Sequence, residues 1–282
     1  VIFGFIFWGD GNVLAMFART ATKTATTISY VCIPLFIFMG CILERSGVSE
    51  KLFESMYIVL GRIRGGLGIT TVLICALMGA ATGIIGASIT IMGMLALPSM
   101  VKYGYDKRMA AGTVMAAGSL GTMIPPSVIL VIYGSLAQLS IAKLFAGGLI
   151  VGLMLAGLYI AYIVVRTLIN KEAGPPIDPE ESARYSTGEK IKMFVVSIIP
   201  PIGLIIMVLG SLLTGISTPN EAAALGCVGS LLIAIAYGKF SWRMIKESCF
   251  HTMLTSALVM WIILAASMFT TIFMGLRGGQ VD

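Results

Sequence analysis

The chain has 282 residues, of which 57% are hydrophobic and 11% charged, and its formal net charge is +6. Soluble domains carry about 25% charged residues, so this composition excludes a soluble enzyme or binding module and implies an all-α polytopic membrane protein. In such a protein the basic excess reports topology rather than a nucleic-acid partner.

In chain order, Val1 to Trp8 reads as the end of a span that begins upstream. Apolar runs follow near 27–43, 66–100, 109–140, 144–165, 191–213, 219–237 and 252–275. Most reach the roughly 20 residues that a spanning helix needs. With no initiating methionine and an apolar run close to Asp282, the sequence reads as an internal piece of a longer protein. Cys32, Cys41, Cys75, Cys227 and Cys249 lie in or beside these runs without a C-x-x-C pair. They read as small apolar side chains rather than as disulfides or transition-metal ligands.

The basic residues cluster between the runs. Arg45, Lys51, Arg62 and Arg64 form a first cluster, and Lys102, Lys107 and Arg108 a second. Arg166, Lys171, Arg184, Lys190 and Lys192 form a third, and Lys239, Arg243 and Lys246 a fourth. The positive-inside rule wants all four in the cytoplasm. That requires residues 66–100 to enter the membrane and return to the same side. The expected arms, Thr71 to Ala81 and Ile89 to Leu97, are about 14 to 17 Å long against a hydrocarbon core near 30 Å, so neither spans alone. Between them "TGIIGAS", Thr82 to Ser88, reads as the tip of a re-entrant hairpin. Its glycines allow a tight turn, and Thr82 and Ser88 carry hydroxyls.

The next run, about 109–140, is interrupted by Pro125 and Pro126. Each removes a backbone donor and displaces a carbonyl about four residues back, near Gly121 and Thr122. At membrane depth an orphaned carbonyl costs several kcal/mol unless something binds it, and a desolvated cation is one such partner. Thr122 and Ser127 add neutral oxygens, while Gly118 and Gly121 leave room for another backbone. A kink healed by a neighbouring helix is the structural alternative. Two interrupted elements in succession are the pattern of a midplane site in a secondary transporter. No Asp or Glu lies within 82–100 or 109–140, which suits sodium better than a proton as coupling ion.

Residues Ile169 to Lys190 read as a cytoplasmic connector between two structural units, 1–168 and 191–282. Thr218, Pro219 and Glu221 fit an N-cap, a first helical position and a capping box, which is a structural role. The Gly79–Gly83 and Gly147–Gly152 spacings suit close helix packing.

"GYDKRMAAGTVMAAGSLGTMIPPSVILVIYG", Gly104 to Gly134, resembles the signature region of the large membrane subunit of tripartite ATP-independent periplasmic (TRAP) transporters. "IPLFIFMGCILERSGVSEKL", "RGGLGIT" and "GISTPNEAAALG" resemble further stretches of that subunit in the expected order. The resemblance implies an elevator-type permease of the bacterial inner membrane, built from two inverted repeats. This chain would hold the first repeat and the start of the second. It also implies sodium as coupling ion, no other cofactor, a small organic solute, a small membrane subunit and a periplasmic solute-binding protein. Carried over, the tip covers Thr82, Gly83, Gly86, Ala87, Ser88 and Thr90. The unwound segment covers Gly118, Ser119, Gly121, Thr122, Ile124, Pro125, Pro126 and Ser127. Many members have Gly-Ser-Ser at the tip where this chain has Gly83, Ile84 and Ile85, so sodium there would lean on backbone carbonyls.

Other readings are weaker. The chain has no G-x-x-x-x-G-K-[ST] phosphate loop, and its lone histidine, His251, has no serine or acid that can be placed beside it. A purely structural subunit has no use for two costly interruptions. An ATP-driven permease is the nearest competitor, and a structural or assembly subunit without its own transport site or a permease of another ion-gradient-driven family are the alternatives.

Overall fold

A computed structural model describes residues 10–82, 85–170, 172–177 and 186–275. Eleven α-helices and two short 3-10 turns, with no strand, make up the regular structure of the described residues. The helices are α1 Asp10–Thr26, α2 Cys32–Arg45, α3 Val48–Leu60, α4 Gly66–Thr82, α5 Ile85–Lys102 and α6 Lys107–Ser119. After a break come α7 Val128–Leu136, α8 Ile141–Ile169, α9 Thr187–Leu213, α10 Pro219–Ala236 and α11 Trp242–Gly275. Among the described residues, five stretches are long and apolar enough to cross a membrane: Ile28–Arg45, Ile141–Ile169, Gly188–Leu213, Pro219–Ala236 and Trp242–Met274.

The hydrophobic runs located these spans but passed over α1 and α3. In α3, Val48, Leu52, Phe53 and Met56 are buried while Glu50, Lys51 and Glu54 are exposed. That is the one-sided pattern of a surface helix, too polar for a search that looks for unbroken apolar sequence. Helix α2 is the hub. Cys32, Ile33, Phe36, Ile37, Met39 and Leu43 are all buried, because α4, α10 and α11 pack around it. By contrast α8 leaves Ile150, Leu153, Met154 and Leu158 exposed, the expectation for a helix facing lipid or another apolar surface.

The region expected to be a hairpin folds as one, with α4 packed on α5 and both feet at the same end. The arms are longer than the sequence suggested: 17 residues in α4 and 18 in α5. They rise about 26 Å, still short of a full crossing. Pro98, one residue beyond the expected second arm, is absorbed within α5. It lies on the exposed face with Met94, the residue whose carbonyl it frees.

The connections carrying the basic clusters are joined by direct contacts, as the hairpin reading requires. Arg45 and Arg243 both bond the Glu247 carboxylate, at 2.5 and 2.8 Å, and the Lys51 ammonium lies 4.3 Å from the centre of the Tyr237 ring. The Tyr57 and Tyr103 hydroxyls hydrogen-bond each other, and the Leu67 amide donates to the Tyr105 hydroxyl at 3.2 Å. These contacts tie the first cluster to the fourth and to the second. The Asn220 amide meanwhile donates to the Ile28 carbonyl at 3.1 Å, joining two of the connections that lack such clusters.

The expected cap of α10 is present. Thr218 N–H donates to Glu221 Oε2 at 2.7 Å, and the Glu221 N–H to Thr218 Oγ1 at 3.4 Å, with Pro219 in the first turn. Each group satisfies a helix-end amide of the other.

Candidate functional site

The interruption of the long helix spans residues 120–127. Helix α6 ends at Ser119, a single 3-10 turn covers Leu120–Thr122, and α7 starts at Val128. The prolines dictate this locally. Helical partners for the Gly121 and Thr122 carbonyls would be the amides of residues 125 and 126, which proline lacks. The Leu120 carbonyl accepts from both Met123 and Ile124, at 3.0 and 2.9 Å, which tightens the last turn. The Thr122 carbonyl is rescued by the Ser127 hydroxyl, which donates to it at 2.8 Å. Among the described residues, no donor reaches the Gly121 carbonyl. One of the two orphaned carbonyls is thus healed internally and the other is not.

Ser127 is fully buried, with its proton committed to Thr122 and its lone pairs left over. Its extended backbone, at φ −121 and ψ 127, redirects the chain into α7. The Thr122 hydroxyl donates to Ser119 at 3.0 Å, and the Ser119 hydroxyl to Ala116 at 2.7 Å. Ile124, Pro125 and Pro126 are buried. The loose end of α6 offers partial negative charge and the start of α7 partial positive charge. Neutral oxygens beside a helix C-terminus favour a hard cation, and free amides at a helix N-terminus favour an anion.

Two neighbours hold the broken segment. On one side α4 lies so close that a Cβ added at Gly79 would stand 2.3 Å from Gly121 Cα. On the other side lies α8, where a Cβ at Gly148 would be 3.0 Å from the Met123 carbonyl and one at Gly152 would be 3.3 Å from Ile124 N. Of the two spacings noted for packing, Gly79 does pack closely, whereas the α8 face uses Gly148 with Gly152. Gly147 meets nothing within 4 Å. Gly118 is filled by a side chain rather than a backbone, since its Cβ would overlap Ile89 Cγ1 of α5 at 2.2 Å.

The hairpin tip therefore meets the break: Gly79 precedes the tip and touches Gly121, and Ile89 follows it and touches Gly118. Sequence separation alone gave no sign of these pairings. Part of the expected tip is helical. Helix α5 resumes at Ile85, so Gly86, Ala87 and Ser88 belong to a helix and not to a turn. Gly83 lies outside the described residues, as do the side chains of Thr82 and Ala87. Ser88 is 3% exposed and heads the inward stripe Ser88, Met92, Ala96 and Met100. Thr90 and Gly86 are exposed and are not brought to the break. A half-turn of helix separates Thr90 from Ser88.

Beside the break, a cavity of about 430 Å³ is lined by Thr122, Val128 and Ile132 together with Ile37, Thr255 and Val259. Its walls are mainly apolar, and Thr122 is the residue of the break that carries a side-chain oxygen into its lining.

The family described as "Tripartite ATP-independent periplasmic transporter, DctM component" matches residues 1–280. The C4-dicarboxylate TRAP transporter large permease protein DctM of Vibrio cholerae is 32% identical over 82% of this chain and 49% of its own length. The isethionate TRAP transporter permease protein DctMQ of Oleidesulfovibrio alaskensis is 32% identical over 90% of this chain and 39% of its own. The ectoine/5-hydroxyectoine TRAP transporter large permease protein UehC of Ruegeria pomeroyi is 28% identical over 90% of this chain and 59% of its own. The chain thus spans about half the length of the curated relatives it matches, and those relatives are permeases rather than enzymes. An all-helical membrane architecture, a family match over nearly every residue and this degree of identity lead to one conclusion: the chain belongs to the DctM component family of TRAP transporter large permeases.

Proposed function

We propose that this chain is part of the large permease subunit of a sodium-coupled TRAP transporter in the bacterial inner membrane, and that it takes up a small organic solute, a carboxylate. A periplasmic solute-binding protein delivers the solute, and a small membrane subunit completes the complex. Helices α4 and α5 are the re-entrant hairpin of the first inverted repeat, and α6 with α7 its broken helix. The body they form moves across the membrane in an elevator motion.

The observation that carries this reading is the convergence of the hairpin tip on the break through Gly79–Gly121 and Ile89–Gly118. The unpaired Gly121 carbonyl and the Ser127 lone pairs at the break, and buried Ser88 on the hairpin, are the neutral oxygens this reading draws on. With no carboxylate in α5 and only neutral oxygens at hand, a monovalent hard cation is the fitting ligand. The amides at the start of α7 suit a carboxylate on the solute.

The test is thermal stability of the intact permease in sodium against potassium at matched ionic strength, repeated with Ser127→Ala. Binding to the native state at 100 times the dissociation constant adds about 2.7 kcal/mol. Sodium-specific stabilisation that the substitution weakens is the expected outcome. Equal stability in the two salts would remove the cation from this break and sodium from the mechanism.

A further inference from the structure

We propose that residues 173–177, at the start of the connector between α8 and α9, form a clasp that fixes the two feet of the α4–α5 hairpin and so positions its tip. The clasp rests on backbone geometry. Its consequence for transport rests on the functional reading above.

Three backbone hydrogen bonds fasten it. The Gly65 amide at the first foot donates to the Gly174 carbonyl at 2.9 Å, and the Asp106 amide beyond the second foot donates to the Ala173 carbonyl at 3.3 Å. The Ile177 amide donates to the Gly61 carbonyl at 2.9 Å. Ile177 is 2% exposed and clusters with Leu67 of α4, Met100 of α5, Ala110 of α6 and Tyr105 in the connection between α5 and α6. Gly174 is the crossing point: a Cβ there would stand 2.7 Å from Thr167 Cγ2, 3.2 Å from Tyr105 Cε1 and 3.3 Å from Gly65 Cα. One five-residue segment thus touches α8, both feet and α6. Pro175 and Pro176 stiffen it by fixing φ. Gly65 and Gly104, at φ +76 and +77, give the feet turns that other residues resist.

Leverage connects this base to the site. The tip stands about 25 Å from the feet along α4, so a tilt of about 2° at the base moves it by about 1 Å. Gly79 and Gly121 are already in backbone contact and have no such slack. Ile177 is therefore a positioning residue for the site at the other end of the hairpin.

Hydrogen exchange on the intact permease in lipid nanodiscs tests the clasp, and sodium-dependent uptake in proteoliposomes tests its consequence. Peptides covering 61–67, 103–107 and 173–177 are expected to be protected together. Ile177→Ala should accelerate exchange in all three by about tenfold or more, whereas Ile177→Val retains protection. Pro175→Ala, a milder change, should act in the same direction and serves if Ile177→Ala does not fold. In uptake, Ile177→Ala should raise the half-saturating sodium concentration several-fold with little change in maximal rate, and Ile177→Val should restore it. Loss of protection confined to 173–177 would overturn the clasp. Joint loss of protection with unchanged sodium dependence would overturn its positioning role. If the wild-type permease proves indifferent to sodium, the exchange measurement still decides the clasp while the functional reading fails by itself.

Discussion

Replacing Gly79 by alanine drives a methyl group into the backbone of the broken helix. The new carbon would stand 2.3 Å from Gly121 Cα and 2.8 Å from Gly121 N, where ordinary contact begins at 3.4 Å. Both obstacles are main-chain atoms, so no side-chain rotation relieves the overlap and the hairpin tip must retreat by about 1 Å. Overpacking of this kind costs about 1–3 kcal/mol, against which the higher helix propensity of alanine returns at most about 1 kcal/mol. Gly93→Ala on the other arm is the control, because nothing lies within 4 Å of its added carbon and only the propensity gain applies. Thermal unfolding of the intact permease in sodium and potassium, with uptake assayed in parallel, reads both effects. Gly79→Ala should lower stability, blunt the sodium response and slow uptake, while Gly93→Ala should do none of these. If the two variants behave alike, the tip and the break are not in contact and the proposed site loses its geometry.

Three further substitutions test the local structure. Thr218→Val removes the hydroxyl that caps Glu221 N–H and should cost about 1 kcal/mol in thermal unfolding. Glu221→Gln should cost less, since an amide oxygen still accepts from Thr218 N–H. Tyr105→Phe leaves the Leu67 amide without its acceptor at 3.2 Å and should cost about 1–3 kcal/mol, because that amide is buried. Burial pushes the Tyr105 phenol from its ordinary 10.0 up to about 12. The stability of its neutral form is then complete below pH 10 and lost only as the pH rises through 12. The difference between Tyr105→Phe and wild type should accordingly be constant between pH 6 and 9.

Much of this fold is legible in the sequence because lipid imposes a strong compositional rule. The later spans, the α10 cap and the return of the hairpin follow from run lengths, a capping motif and the distribution of lysine and arginine. The broken helix was locatable too, although a proline pair is not by itself sufficient to break a helix. Pro200 and Pro201 form a second such pair, and α9 runs through them without interruption. The two sites differ in their surroundings. Around Pro125 and Pro126, glycines admit the α4 backbone at Gly121 and seat the break against Gly148 and Gly152, and Ser127 supplies the hydroxyl that caps a freed carbonyl. Those pairings join α4, α6 and α8 across long sequence separations, and no local pattern encodes them.

The tip and the connector misled sequence reading in opposite directions. "TGIIGAS" has the glycines of a turn, yet Gly86, Ala87 and Ser88 are helical, in an α5 that starts at Ile85 and buries a stripe from Ser88 at four-residue intervals. The periodicity of that stripe was available, and it would have assigned Thr90 to the outer face. The connector has the prolines and charges of a free loop, yet Ile177 is as buried as the helix core. Composition describes the average exposure of a segment, whereas a clasp needs only one apolar anchor and a few main-chain bonds. Its partners, Gly61, Gly65 and Asp106, lie in other connections whose own amides and carbonyls need hydrogen-bond partners at the helix ends. A polar connector that runs past several helix ends is the nearest source of such partners, and it meets that need through its backbone, which sequence composition does not reveal.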